Sequence, residues 1–597
     1  MAAIISALDN YTPKQLGENG HSEYGWSNNI REKILQFSFQ VTRTNDVGVE
    51  RLDLVLRDLL TTLKHKVTND SFVSIPEMEV ARGYLSILYR MIGHTRDIID
   101  GKGEYKLTYM MIYVWYDFFP QLAMFALKCL VDLGDKKLHQ YGSWKDIKYF
   151  CEYCRSQGVD TYHPLVTHAI KIVNAQLNTD EYFGRWDVTK ISLAAKWVPR
   201  EKSSFGWLYE LLACDFFSEY MNTAYTMEKS EKAVKKCKTQ YRKLLSNLNM
   251  KIDTTQIKQC GKKWSEIDFN KVTSITVTKQ KQSFLNVKKD GTVRHPDDQD
   301  RIECADHFKA RIKQAVTGEV EIKGKRVGMA DFTKQAVDLI NRRNRTILSC
   351  PSVSELESLQ MEIDLLNSQW RDNSTQTGAL GKMIAMVDVS GSMEGDPINV
   401  AIALGIRVAD KSLLGKRIMT FSSNPTWVNL QNYDDFVSQV QVVKSAEWGM
   451  NTNFNKALNQ ILDAIIENKM NPEDVQDMVL VVFSDMQMDS GDSCDKNALY
   501  QVMETKYAQA GVRVHGKPYK PPHILFWNLR STSGFPTLSN QRNCSMMSGF
   551  SPALLNLFCE KGLDALESFT PWGVLEQTLE NERYKIMSER LESFLEE

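Results

Sequence analysis

Apolar residues return every three or four positions through most of residues 27–250, in NNIREKILQFSF, RLDLVLRDLLTTLKHKV, EVARGYLSILYRMIGHTRDII and YHPLVTHAIKIVNAQL. That period lines one face of a helix, so the pattern predicts a succession of amphipathic helices. The separators are short and polar or glycine-bearing, which suits antiparallel, solenoid-like stacking, although no fixed repeat length runs through them. The most apolar stretch, MMIYVWYDFFPQLAMFALKCLV at 110–131, carries Asp117 and Pro120. A membrane span needs about 20 largely uncharged apolar residues, so this stretch predicts two buried helices joined at Pro120. Helical periodicity then resumes and runs to about residue 369.

Residues 366–381, LNSQWRDNSTQTGALG, are polar and turn-rich and predict a hinge. Beyond them the period changes. KMIAMVDV, KRIMTFSS, DMVLVVFSDMQMD and HILFWNLR are short apolar runs, separated by the helical patterns NVAIALGIRVADKSLL and NFNKALNQILDAIIENKM. Strands alternating with helices predict an open, doubly wound parallel sheet of Rossmann-like type, covered on both faces. From about residue 550 further helices follow, the last of them acidic. The chain therefore divides into an extension at 1–26, a helical domain at 27–369, an α/β domain at 370–547 and terminal helices at 548–597.

With 597 residues the chain is too long for one core, and about two to four domains are expected. A formal net charge of -1 exerts no global pull on nucleic acid or membrane. Locally the balance differs: residues 228–290 hold sixteen Lys/Arg against six Asp/Glu. The eleven cysteines are scattered and odd in number, unlike a secreted disulfide framework. Cys151 and Cys154 form a lone CxxC in a helical context, read as two reduced thiols rather than half a zinc site. The N-terminus has no basic region followed by a long apolar core, so no signal peptide is expected. A reducing cytoplasm is the expected location, with no membrane association.

The strand KMIAMVDV runs into DVSGSMEG. Asp388, Ser390 and Ser392 place oxygen donors at alternate positions, and a tight loop through Gly391 can turn them towards one point. Oxygen ligation with few protein carboxylates suits Mg2+, which keeps several waters; Mn2+ and Ca2+ are the other hard candidates. A second strand end supplies Asp485 in VVFSDMQ, and the intervening loop WGMNTNF supplies Thr452. Ligands in open α/β sheets sit outside the carboxyl ends of the strands, where all three segments are expected. For DVSGS alone, a polar turn with a helix cap is the competing explanation.

The order DVSGSMEG, GMNTN, FSDMQ resembles a von Willebrand factor A domain with a metal-ion-dependent adhesion site. The resemblance implies direct ligation by Ser390 and Ser392, Asp388 acting directly or through water, Thr452 as the middle-loop ligand and Asp485 as the outer carboxylate. It also implies a last coordination position open to an acidic residue of a partner. LGENGHSEYGW, HTRDIIDGKGE, YGSWKDI, LAAKWVPREKS, CGKKWSEIDFNKVTS, TWVNL, FWNLRS and SGFSPALLNLF are similar to signatures of the DUF2828 family over roughly residues 15–570. That family occurs in plants, fungi, bacteria and large DNA viruses, so a virus particle is a second location for a virus-encoded member. It resembles the Ro60-like TROVE proteins, in which a HEAT-like helical ring, closed by a von Willebrand A domain, binds structured RNA.

The expected function is thus a non-enzymatic RNA-binding scaffold with a Mg2+-dependent adhesion site. The alternative is a protein-interaction module whose metal captures a partner's acidic side chain. Lysine-rich surfaces neutralise phosphates without reading bases. Lys235, Lys236 and Lys243, with Lys262 and Lys263, are candidate contacts in the basic segment, against a solvated helix face. Arg96, Lys102, Lys196 and Arg200 recur in the family signatures, as phosphate contacts or as internal ion pairs. Enzyme readings are weaker: Ser390 stands where a haloacid-type phosphatase needs its second Asp, and GKGE at 101–104 lacks P-loop spacing. The SGS serines have no recognisable base, and His94, His295 and His523 are isolated in sequence.

Overall fold

Short polar residues start the helices. In the computed structural model, which describes residues 11–68, 74–135, 137–288, 291–348, 353–421, 424–446, 454–476, 478–487, 499–559 and 569–596, Asn29, Asn45, Thr226 and Asp298 each cap a helix by accepting a backbone N–H from its first turn. Ser74 with Glu77, and Ser143 with Asp146, form reciprocal capping boxes.

After a two-stranded hairpin, β1 (Lys14–Leu16) and β2 (Ser22–Tyr24), come α1 (Ile30–Gln40), α2 (Asp46–Val67), α3 (Ile75–Arg96), α4 (Tyr105–Phe118) and α5 (Pro120–Cys129). Pro120 starts α5 at a position where its missing N–H costs nothing, so the apolar stretch is two helices, as expected. Then follow α6 (Trp144–Ser156), α7 (Pro164–Phe183), α8 (Gly206–Phe216), α9 (Met227–Ile252), α10 (Ser274–Phe284), α11 (Gln299–Val316), α12 (Met329–Leu348) and α13 (Val353–Ser374), with shorter turns between. Cys151 and Cys154 are free, buried thiols on α6. Among the described residues no helix is long and apolar enough to cross a membrane.

The expected hinge at 366–381 is helical as far as Ser374. Trp370 is the reason: it is buried and stacks on Phe436 with ring centroids 3.9 Å apart. α12 and α13 thereby belong to the core of the sheet that follows, so the change of sequence pattern does not mark the edge of a core.

That sheet comprises β3 (Met383–Asp388), β4 (Arg417–Phe421), β5 (Thr426–Asn429), β6 (Val479–Ser484), β7 (His523–Asn528) and β8 (Cys544–Ser548), in the order β5-β4-β3-β6-β7-β8. All neighbours are parallel except the edge strand β5. α14 (Asp396–Lys411), α15 (Phe436–Ser445), α16 (Phe454–Glu467) and α17 (Leu499–His515) connect the strands. Met386, Val482 and Phe526 point into a core shared with α16, α17 and the N-terminal helices. Val387, Phe483 and Trp527 point into a second core with α12 to α15. A Cβ at Gly405 of α14 would run into Val387, so glycine sets that helix-to-strand approach. Both faces are covered, as parallel strands require. The sequence pattern missed β5, β8 and the hairpin: CSMMS lacks β-branched residues, and the others are only three or four residues long.

The end of α1 docks beside the carboxyl ends of β7 and β8. Asn528 Nδ2 donates to the Phe39 carbonyl at 3.0 Å. Lys102 Nζ donates to the carbonyls of Ser38 and Val41, both at 2.8 Å, and to Ser548 Oγ at 2.7 Å. The chain also closes on its own beginning. α18 (Pro571–Leu579) and α19 (Lys585–Glu596) return to α3, where Arg583 forks onto buried Asp97 with both contacts at 2.6 Å.

Burial lowers the Lys102 ammonium from its ordinary value to about 7, with Glu104 opposing. Between about pH 7 and the ordinary lysine value near 10.4, the unfolded chain holds a proton that the folded one has lost. Stability therefore rises with pH across that window. Lys102→Met should remove this slope in thermal melts from pH 7 to 10. It should also lower stability at neutral pH by about 1–3 kcal/mol, because the Ser38 and Val41 carbonyls are then left with the Ser548 hydroxyl as their shared donor.

Candidate metal centre

The strand order reverses between β3 and β6, which makes their carboxyl ends the switch point where ligands of open α/β sheets sit. Two of the expected ligands stand there. Asp388 is the last residue of β3 and Asp485 follows β6, and both are wholly buried. Asp388 Oδ1 accepts the Ser390 N–H at 2.9 Å, which bends the chain into a short 3-10 turn over Gly391–Met393. That turn brings Ser390 Oγ and Ser392 Oγ to 3.1 Å from each other. Gly395, with φ 101°, then admits the chain to α14.

Ser484 fastens the two strand ends together. Its hydroxyl donates to Asp388 Oδ2 at 2.6 Å and accepts the Met486 N–H at 3.0 Å. Met486 takes φ 63°, an uncommon conformation for a residue with a Cβ, and one that costs of order 1–3 kcal/mol. Asp485 Oδ1 accepts the Gln487 N–H at 3.1 Å, and its Oδ2 accepts from Arg530 Nε at 2.8 Å.

Burial first, and then the charge of Asp485, push the Asp388 carboxyl above the usual carboxylate range. Its bonds from Ser390 and Ser484 oppose this without cancelling it. A pair of buried carboxylates with two adjacent hydroxyls is a donor set of hard oxygens with excess negative charge, and a hard divalent cation such as Mg2+ fits it. Asp388, Ser390, Ser392 and Asp485 would hold the ion. Among the described residues no three His, Cys, Asp or Glu side chains converge on a metal-sized site. Thr452 lies outside the described residues. Ser484 and Arg530 escaped the sequence reading. Ser484 sits one residue before the recognised Asp485, and Arg530 lies in FWNLRS.

The candidate nucleic-acid contacts separate into two groups. Arg96 and Lys102 are internal. Arg96 makes a bidentate pair with Asp146, both bonds 2.8 Å, and Lys102 is spent at the α1–β8 junction. Neither side chain reaches solvent to meet a phosphate, which corrects that part of the expectation. The basic segment is also partly self-neutralised. Lys238 reaches Glu210 at 3.1 Å and Glu201 at 3.6 Å, Lys263 reaches Glu266 at 3.2 Å, and Lys281 reaches Glu362 at 3.2 Å. Lys235, Lys243, Lys262 and Arg200 are exposed and join no ion pair among the described residues. Lys236 lies 3.8 Å from the Tyr220 ring centroid.

A denser group stands on α6. Lys148 Nζ lies close to three ring centroids: Trp197 at 5.1 Å, Tyr149 at 5.4 Å and Phe205 at 5.6 Å. Lys145 faces Tyr149 at 5.0 Å, and Lys196 faces Trp197 at 5.8 Å. Burial lowers all three ammonium groups. Lys279 of α10 adds to the effect on Lys145, and Lys145 to that on Lys148. Lys145, Lys148 and Tyr149 lie together in YGSWKDIKYF, but the other two aromatic partners come from residues 197 and 205.

Comparison with known proteins divides the chain in two. Residues 160–373 match a domain of unknown function, DUF2828, and residues 382–592 match another, DUF7788. The chain thus carries the DUF2828 domain that its motifs implied, over a shorter range, with a DUF7788 domain spanning the sheet. An uncharacterized protein of Acanthamoeba polyphaga mimivirus is 25% identical over 585 residues, covering 94% of this chain and 86% of that protein.

Asp388→Asn removes one of the two apposed charges. The variant should melt higher than the native protein in EDTA, and Mn2+ or Mg2+ should no longer raise its melting temperature. In the native protein a cation at a hundred times its Kd adds about 2.7 kcal/mol, which calorimetry with and without metal measures.

Proposed function

We propose that this protein is a non-enzymatic binding scaffold whose α/β part is of von Willebrand factor A type and holds a hard divalent cation, Mg2+ foremost. The helical part is its HEAT-like body. One observation carries the reading: Asp388 and Asp485 lie buried side by side at the switch point of the sheet, with the Ser390 and Ser392 hydroxyls beside them. Two charges in that position repel and are poorly hydrated, and a divalent ion answers both problems at once. Mg2+ so held keeps coordination positions for exchangeable ligands, and a carboxylate from a partner is the matching hard donor. In this reading the serines act as ligands, so the site grips rather than cuts.

RNA is a second ligand, supported by the α6 group. Ammonium groups desolvated against Tyr149, Trp197 and Phe205 offer phosphate neutralisation next to ring faces on which bases stack, a combination suited to single-stranded segments. Lys235, Lys243, Lys262 and Arg200 would add sequence-independent contacts.

Two measurements test these arms separately. An acidic partner protein held on the scaffold should be released by EDTA and absent with Asp388→Ala, whatever the nucleic acid content; retention in both cases overturns the metal reading. For the second arm, a fluorescent single-stranded RNA should bind with a steep salt dependence. Lys145→Ala with Lys148→Ala should reduce the slope of log K against log salt by about 0.7 per lost phosphate contact. Native protein that stays free of RNA at low salt overturns that arm.

A further inference from the structure

The N-terminal hairpin reaches the metal centre. Its base is fixed to the loop after β7: Tyr24 and Phe535 exchange backbone hydrogen bonds, both 2.9 Å, and the Trp26 and Phe535 rings meet edge to face at 5.0 Å. Gly534 beside this join has no room for a Cβ, because the Glu23 carboxylate fills that space. The tip, between β1 and β2, lies over Gln487, two residues beyond Asp485. The Glu18 N–H donates to Gln487 Oε1 at 2.6 Å, and Asn19 Nδ2 donates to the Gln487 carbonyl at 2.9 Å.

The side chain of Glu18 completes a three-member chain of charges. Arg530 uses Nε for Asp485 Oδ2 and a terminal nitrogen for Glu18 Oε2, each at 2.8 Å. One guanidinium edge therefore carries a carboxylate of the metal centre and a second carboxylate delivered from the other end of the chain. Asp485 is fully buried, whereas the Glu18 side chain is 56% exposed and Arg530 is 33% exposed. Ion pairs that exposed are weak, so Glu18 can leave while Asp485 stays.

We propose that Glu18 is the resident occupant of a carboxylate seat formed by Arg530 at the rim of the metal centre. The hairpin then competes in cis with the acidic residue that a partner would bring. The inference rests on the metal reading above and adds to it a second anchor, Arg530, and a built-in competitor. A seat filled most of the time lowers the apparent affinity for an outside ligand by the fraction of time it is empty. A partner must therefore present several carboxylates, or bind elsewhere as well, to displace Glu18. The occupant to which the seat is suited is an acidic protein segment, because the terminal nitrogen of Arg530 makes a charge-assisted hydrogen bond to a carboxylate.

The test uses the full chain, fluorescein-labelled hexaglutamate followed by anisotropy, and Mn2+ binding followed separately by calorimetry. Glu18→Gln should bind hexaglutamate about tenfold more tightly than the native chain in Mg2+, within the usual range of coupling between sites, with no such gain in EDTA. Adding Arg530→Gln to Glu18→Gln should abolish the gain. Hydrogen exchange at the Glu18 amide should quicken when hexaglutamate is added, while the Tyr24 amide stays protected. If both proteins take up Mn2+ yet bind hexaglutamate equally, or if the gain persists in EDTA, the cis competitor is overturned and the metal centre stands. If neither takes up Mn2+, the metal centre itself is overturned, and the competitor with it.

Discussion

Two like charges buried at the ends of adjacent parallel strands are an unfavourable arrangement, and much of the carboxyl edge of the sheet is organised around it. Asp388 and Asp485 cannot be hydrated, so the chain surrounds them with donors: the Ser390 and Gln487 amides, the Ser484 hydroxyl and the Arg530 guanidinium. These still leave Asp388 with a raised affinity for its proton. Under the function proposed above, that residual charge is what a divalent cation would neutralise.

The rest of the architecture supports that edge. The end of α1 is held to β7 and β8 by Asn528 and by a buried lysine, Lys102, with three acceptors. Arg43, which follows α1, pairs with Glu104 at 3.1 Å and lies 3.5 Å from Asp396 in the first turn of α14, directly after the serine loop. The returning α18 and α19 fasten to α3 through Arg583 and Asp97. Breaking a buried pair of this kind costs about 3–5 kcal/mol, because the surviving charge has no water to return to. One face of the sheet thus shares a core with the N-terminal helices, reinforced by a set of buried polar ties, rather than meeting them through a linker.

Charge shows how sequence counts mislead. The segment 228–290 is strongly basic, yet Lys238, Lys263 and Lys281 are answered by Glu201, Glu210, Glu266 and Glu362, two of which lie outside it by ten residues or more, and one by more than seventy. Conversely, YGSWKDIKYF is unremarkable in charge, and its lysines become a dense cationic group because Trp197 and Phe205 desolvate them. Arg96 and Lys102 serve the interior.

The sequence by itself determined the two kinds of secondary structure and the place of Asp388 and Asp485 at the strand ends. Periodicities of 3.6 and 2 are local properties, and a strand that ends in DVSGS can place its oxygens nowhere but the carboxyl edge. It also carried the family motifs and the two-helix reading around Pro120. Short elements without apolar patterning, β5, β8 and the hairpin, were decided by the tertiary structure, because their stability comes from pairing with distant strands rather than from their own residues. So was the helical state of residues 366–374, where burial of Trp370 against Phe436 overrides a polar, turn-like composition. The meeting of Glu18, Arg530 and Asp485 belongs to the same class. Residues 512 positions apart share one guanidinium only because the fold returns the first hairpin to the carboxyl edge of the sheet.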